Sequence, residues 1–304
     1  MPSMRPEPET RRLLPRQISE LVVFDIASST ARVIYETGEL IEAPNWSPDG
    51  KWLVYNGDGR LFRISPDGQD GPHRINTAPV ENLNNDHVVS RDGRSFFVSA
   101  NDGHLYRVPF EGGTPQRVSN EHEASRGFKY YLHGISPDGA TLAYVGLERR
   151  EGGGVFTRIC TIPAAGGQDV FLTDGACPVD GSEFSPDGQW IYFNSEAAAT
   201  QPGHAQAFRM RPDGTGLEQL THDERVNWFP HPAPNGRDLV YLSYPVGTIG
   251  HPADKDVILR FMSADGGKAR DLDAFNGGQG SINVNSWAPD SSAFAYVRYP
   301  LAAG

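Results

Sequence analysis

Trp46-Ser-Pro-Asp-Gly50 returns along the chain as Val89-Ser-Arg-Asp-Gly93, Ile135-Ser-Pro-Asp-Gly139, Phe184-Ser-Pro-Asp-Gly188, Pro232-Ala-Pro-Asn-Gly236 and Trp287-Ala-Pro-Asp-Ser291. Successive copies stand about 43 to 55 residues apart. Pro presets φ at the second turn position, Asp or Asn bonds back to the local backbone, and Gly takes the left-handed conformation. Each copy therefore reads as a tight turn between two strands. A period of this length with four strands per unit is the pattern of a β-propeller.

Working outward from the turns, the strand that leaves each is short and β-branched or aromatic. These strands read Lys51-Trp-Leu-Val-Tyr55, Ser95-Phe-Phe-Val-Ser99, Thr141-Leu-Ala-Tyr-Val145, Trp190-Ile-Tyr-Phe193, Leu239-Val-Tyr-Leu242 and Phe294-Ala-Tyr-Val297. A third strand follows in the first five units, from Arg60-Leu-Phe-Arg-Ile64 to Val257-Ile-Leu-Arg-Phe-Met262, and leads through a Gly-rich hairpin to a short fourth. The last unit stops after its second strand, near Val297-Arg298. Leu21-Val-Val-Phe-Asp-Ile26 has the third-strand pattern and Ala31-Arg-Val-Ile-Tyr35 the fourth, so the termini are expected to complete one blade together. That pairing removes the open sheet edges. The expected fold is all-β, a six-bladed propeller over residues 19–304 preceded by a flexible segment, 1–18.

The repeat, Trp46-Ser-Pro-Asp-Gly-Lys51 followed by Leu53-Val-Tyr55, resembles the TolB-type propeller repeat, and the resemblance runs from about residue 19 to 299. It implies a fold rather than a function, because such repeats occur in periplasmic scaffold proteins, in peptidase propeller domains and in oligogalacturonate lyases. A peptidase is disfavoured by the lack of a second domain and of a Gly-x-Ser-x-Gly elbow.

Composition narrows the partners. A formal net charge of −11, with no basic cluster to offset it, argues against nucleic acid and anionic membranes. No apolar run is long enough to span a bilayer. Residues 1–17 are polar and rich in Pro and Arg, unlike a signal peptide, which points to the cytoplasm, or to the periplasm if a leader has been removed. Cys160 and Cys177 are too few for a disulfide framework.

A propeller places its ligands at the mouth of the central channel, lined by the innermost strands and the loops between strands two and three. Just ahead of the turns those strands offer Glu42 and Asn45, Asn85 and His87, Tyr131 and His133, Asp180 and Glu183, Asn227 and His231, and Asn283 and Asn285. Trp228 adds an aromatic face. The loops in the third to fifth units are long: Gly146 to Gly154 with Arg149 and Arg150, Ser195 to Gln206 with His204, and Tyr244 to Asp256 with His251 and Lys255. Long loops on a rigid scaffold are where binding usually resides.

Two function classes follow. In the first, resemblance to oligogalacturonate lyase implies a divalent metal, Mn, Ca or Zn, held by His87, His133, His231 and His251. It polarises a uronate carboxylate while His133, Lys255 or Arg150 serves the proton transfer. Glu42, Asn85, Tyr131, Asp180, Glu183, Asn227, Trp228, Asn283 and Asn285 would then bind the oligosaccharide, and no organic cofactor is expected. In the second, the propeller is a non-catalytic scaffold, resembling TolB, that takes a peptide or protein partner.

Overall fold

Within each of the first four repeats the Ser hydroxyl donates to the Asp carboxylate at 2.5–2.7 Å: Ser47 to Asp49, Ser90 to Asp92, Ser136 to Asp138 and Ser185 to Asp187. The same carboxylate oxygen accepts the backbone N–H two residues on, and the Ser oxygen accepts that of Trp52, Ser95, Thr141 or Trp190. The side chains thus satisfy the backbone that the reversal strips from the ladder. Where Ala233 and Ala288 replace Ser, Asn235 and Asp290 keep the second bond, to Arg237 and Ser292. Turns of neighbouring blades touch: Asn235 N donates to Ser291 Oγ, and Gly50 lies against Pro289. They make one face of the ring.

The structure is a computed structural model and describes residues 11–150 and 152–302. Five blades are four-stranded antiparallel sheets. Their innermost strands are Ile41–Trp46, Leu83–Val89, Lys129–Ile135, Val179–Phe184 and Val226–Pro232. The sixth sheet joins Ala293–Arg298 to Ser19–Asp25 and Thr30–Thr37, in register from Glu20 opposite Arg298 to Asp25 opposite Ala293. The termini therefore close the ring as expected. The innermost segment of this blade is irregular, bridged only at Trp287–Phe294. Asn285 donates to the Pro232 carbonyl and Ser286 to that of Ala295.

Apolar residues fall into six clusters, and each fills the seam between two consecutive blades. Val54 and Leu61 meet Phe96 and Val98 between the first and second; Phe24, Phe294 and Tyr296 meet Val240 and Leu242 between the sixth and fifth. Full burial of one such side chain is worth about 1.5–3 kcal/mol. The seams, rather than any centre, are the core.

Two expectations change. In the third blade, Thr141–Arg149 and Val155–Pro163 pair as far out as Arg149–Val155, so the first four residues of the anticipated loop, Gly146 to Arg149, are strand. The segment expected to be flexible up to residue 18 is bound to the ring from Arg11 onward. Leu13 packs on the seam between the sixth and first blades, and buried Gln17 donates to Asp254 Oδ1 at 2.7 Å and to the Tyr299 carbonyl at 3.1 Å. Residues 1–10 lie outside the described residues. Among the described residues no helix is long and apolar enough to cross a membrane.

Candidate functional site at the channel mouth

Five residues before the first residue of each turn stand Glu42, Asn85, Tyr131, Asp180, Trp228 and Asn283, one from each blade. In four of the five regular innermost strands the pairing register breaks immediately after or across this position, and in the third blade it breaks one residue later, after Leu132. The residue that follows it takes a left-handed backbone in three blades, Ala43 (φ 52°), Gly181 (φ 69°) and Phe229 (φ 53°). A bulge of this kind re-aims the side chains on either side of it. Alternation along the strand is therefore interrupted at the mouth, and polar residues an odd number of positions apart both turn to the axis.

Below this ring the channel is crossed by hydrogen bonds. His133 Nδ1 contacts the Asn283 carbonyl at 3.1 Å, and His231 lies 2.7 Å from both Glu183 Oε2 and the Ile282 carbonyl. Asn285 donates to Glu183, and Asn45 donates to the Asn285 carbonyl while accepting Val89 N at 3.0 Å. Glu183, His231, Asn45 and His133 are all buried. The site is a floored dish.

Asp180 organises one side of the dish. His133 Nε2 lies 3.0 Å from its Oδ1, off the axis of a hydrogen bond, and His251 Nε2 lies 3.5 Å from its Oδ2. His251 comes from the long loop of the fifth blade and packs on Trp228, with ring centroids 4.5 Å apart, while its Nδ1 contacts Gln279 Oε1. Burial opposes charge on His133, but Asp86 and Asp180 outweigh it and raise its pKa to about 9. Burial also opposes the Asp180 anion, and contact with His133 and His251 nevertheless holds its pKa well below the usual carboxylate range. Burial pushes Asp86 up to about 6, with the Asp180 charge adding to it. Tyr131 rises to about 12 through burial and the two carboxylates. Asp86 Oδ1, Asn85 Nδ2 and Trp228 Nε1 are buried without a hydrogen-bond partner.

The other side is acidic and is met by the N-terminal segment. Arg11 Nη1 lies 3.2 Å from Glu42 Oε1 and donates to the Gln279 carbonyl, and its guanidinium sits 3.8 Å above the Tyr299 ring.

Several residues anticipated for the site lie elsewhere. Asn227 faces the sheet, where it meets Ser243 Oγ at 2.7 Å and Gln206 at 3.2 Å. Arg150 donates to the Gly175 carbonyl at 3.1 Å and, with Arg149, Phe156 and Arg158, lines a separate cleft of about 390 Å³. Lys255 is exposed at the start of a strand opposite Gly277. His87 is buried with its nitrogens 3.1 and 3.4 Å from the Asn85 and Val54 carbonyls, and burial lowers its pKa to about 4. With both nitrogens of His87 and of His231 facing oxygen atoms, the four histidines do not fit a shared divalent ion. Among the described residues no group of three or more His, Cys, Asp or Glu side chains is arranged to hold a metal.

Asp86, Gln279 and Arg11 were not anticipated. The four-residue polar run Asn84-Asn85-Asp86-His87 in an innermost strand is a signal for the first. Nothing in the pattern marks the other two.

No protein-family profile matches the chain. A protein of Agrobacterium fabrum, described as uncharacterized, is 39% identical over 285 residues, 92% of each chain. The solved structure of a TolB candidate from Agrobacterium tumefaciens is 38% identical and superimposes with a TM-score of 0.85 over 94% of this chain and 99% of that one. TolB from Acinetobacter baumannii, at 18% identity, matches with a TM-score of 0.62 over 86% of this chain and 64% of that one. An oligogalacturonate lyase in complex with manganese, at 13% identity, matches with a TM-score of 0.56 over 96% of this chain and 92% of that one, a likeness of fold alone. Identity near two residues in five along almost the whole ring, together with the repeat and the closed sixth blade, shows that the chain belongs to the TolB-like six-bladed β-propeller family.

Proposed function

We propose that the protein is a non-catalytic binding propeller whose channel mouth takes a peptide segment of a partner protein. One observation carries this reading: carboxylates of Glu42, Asp86, Asp180 and Asp254 gather at the mouth, where Arg11 already meets two of them, whereas Arg150, a cation expected to meet a uronate, is held at the outer cleft. The dish is lined by amides, carboxylates and the Tyr131 ring, with His251 held against the buried Trp228. Such a surface suits main-chain amides and basic side chains. Metal-assisted elimination on a uronate ranks second, because the histidines it requires are committed to backbone and carboxylate oxygens.

A displayed-peptide selection on the native protein tests the proposal. Selected peptides are expected to lose about tenfold or more in affinity on Trp228→Ala and on Asp180→Asn, with the folded state of each variant confirmed by its thermal midpoint. Peptides that bind both variants as well as the native protein would place their site elsewhere. Acidic oligosaccharides that raise the melting temperature in the presence of Mn, Ca or Zn, with no peptide selected, would install the lyase-like reading instead.

A further inference from the structure

The contact between Arg11 and the mouth has the features of a filled receptor site. Glu42 Oε1 and the Gln279 carbonyl take one guanidinium nitrogen, Tyr299 lies flat beneath the guanidinium at 3.8 Å, and Asp254 Oδ1 stands 4.0 Å from Nη2. Carboxylate, carbonyl and aromatic face are the three groups that recognise a planar cation. Gly280 makes the room. A Cβ there would stand 2.5 Å from Glu42 Oε1, 2.6 Å from the Tyr299 hydroxyl and 2.7 Å from Arg11 Nη1. The fit of the chain's own arginine is nevertheless incomplete, since Arg11 Nε and Nη2 are buried with no aligned acceptor. Such unmatched donors are costly. Behind Arg11 the segment is held by Leu13 on the seam and by the hydrogen bonds of Gln17, so Arg11 is presented on a short tether and not by strand pairing.

We propose that the pocket of Glu42, Gln279, Gly280 and Tyr299 is a guanidinium site, occupied here by Arg11 as a tethered competitor, and that an arginine of a partner's basic segment enters it by displacing Arg11. The inference rests on the binding reading of the mouth. It adds which side chain is read and what guards the site. A short tether gives an effective concentration on the order of millimolar or above, which weakens any external ligand for the same pocket.

N-acetyl-arginine N-methylamide is the probe, and its citrulline counterpart, equal in shape but uncharged, is the control. In Arg11→Gln, two-dimensional NMR is expected to show the arginine probe shifting the backbone signals of Gln279 and Gly280 with an affinity about tenfold or more above that for the native protein. The citrulline control should do nothing, and Glu42→Gln added to Arg11→Gln should remove the response. Equal response to both probes, or none in Arg11→Gln, overturns the assignment. Should Arg11→Gln fail to fold, the native protein decides through the side-chain protons of Arg11. Over Tyr299 they are expected to be displaced by the ring and to return to unstructured positions as the probe is added, whereas unstructured positions from the outset overturn the proposal. Peptides that are selected on the mouth and bind without arginine would retire the guanidinium site and leave the binding reading standing. A probe response with no peptide selected would do the reverse.

Discussion

His133 shows how a single side chain couples the mouth to solution. Its pKa in the folded protein, about 9, lies above the ordinary 6.5, so the stability it contributes is fully present below about pH 6.5 and is lost as pH rises through 9. Asp86 acts differently. Burial raises it to about 6 from 3.8, so it costs stability as pH rises between those values, whereas Asp180, held low, stabilises above pH 3.8 and fails in acid. Native protein should therefore lose stability between pH 6.5 and 9, on the order of 3 kcal/mol at most. In His133→Gln the urea midpoint should be nearly flat over that range; parallel falls in the two proteins would contradict the assignment. Much of this chemistry was legible in the sequence, since Glu42, Asn85, Tyr131, Asp180, Trp228 and Asn283 share one place in the repeat. Asn227 was not, because plain alternation assigns it to the axis while the bulge after Trp228 turns it into the sheet. Arg150 was misplaced for a different reason: its loop rises beside the ring, but the Gly175 carbonyl and the Phe156 ring hold the guanidinium at the outer cleft.

At the scale of the element, the innermost strands set how closely the blades approach. Gly134 is a close approach between the third and fourth blades: a Cβ there would lie 2.8 Å from the Ser182 carbonyl oxygen and 3.0 Å from Glu183 Cα. Both are backbone atoms, so relief requires a strand to move. Gly134→Ala is expected to cost about 1–3 kcal/mol and to weaken mouth ligands as well, because the displaced strand carries His133 and its neighbour carries Asp180. Chemical denaturation with the selected peptides as a second readout checks both, and an unchanged midpoint would show that the strands yield freely. The strands themselves are readable from sequence because the turn spelling fixes where each begins. The sixth innermost segment is the exception. Its pattern matches the others, yet Asn285 donates across to the Pro232 carbonyl of the fifth blade, the Ser286 hydroxyl takes the Ala295 carbonyl, and regular pairing does not form.

For the molecule as a whole, six seams in a ring mean that no blade is stable by default, and closure rests on Ser19–Asp25 beside Ala293–Arg298. Removing residues 1–36 strips two strands from the sixth sheet and exposes Phe294 and Tyr296, so the variant should unfold or associate. Removing residues 1–12 spares the sheet and Gln17. It should lower the thermal midpoint by only a few degrees, through the loss of Arg11 from Glu42. Light scattering and calorimetry separate the two. A monomeric 1–36 deletion with an unchanged midpoint would refute closure.

The shared sixth blade also imposes an order on synthesis. Ser19–Asp25 leaves the ribosome before the other strands of the ring, and its partner, Ala293–Arg298, after them. Until that partner emerges the early strand has one ladder edge unanswered and an apolar face without its seam, the condition in which nascent β-structure recruits chaperones or pairs with a neighbouring chain. The blades between can assemble in sequence as they emerge, each against the one before. The fold is completed only by a contact between the two ends of the ring, so the native ring closes only after its last strand has emerged.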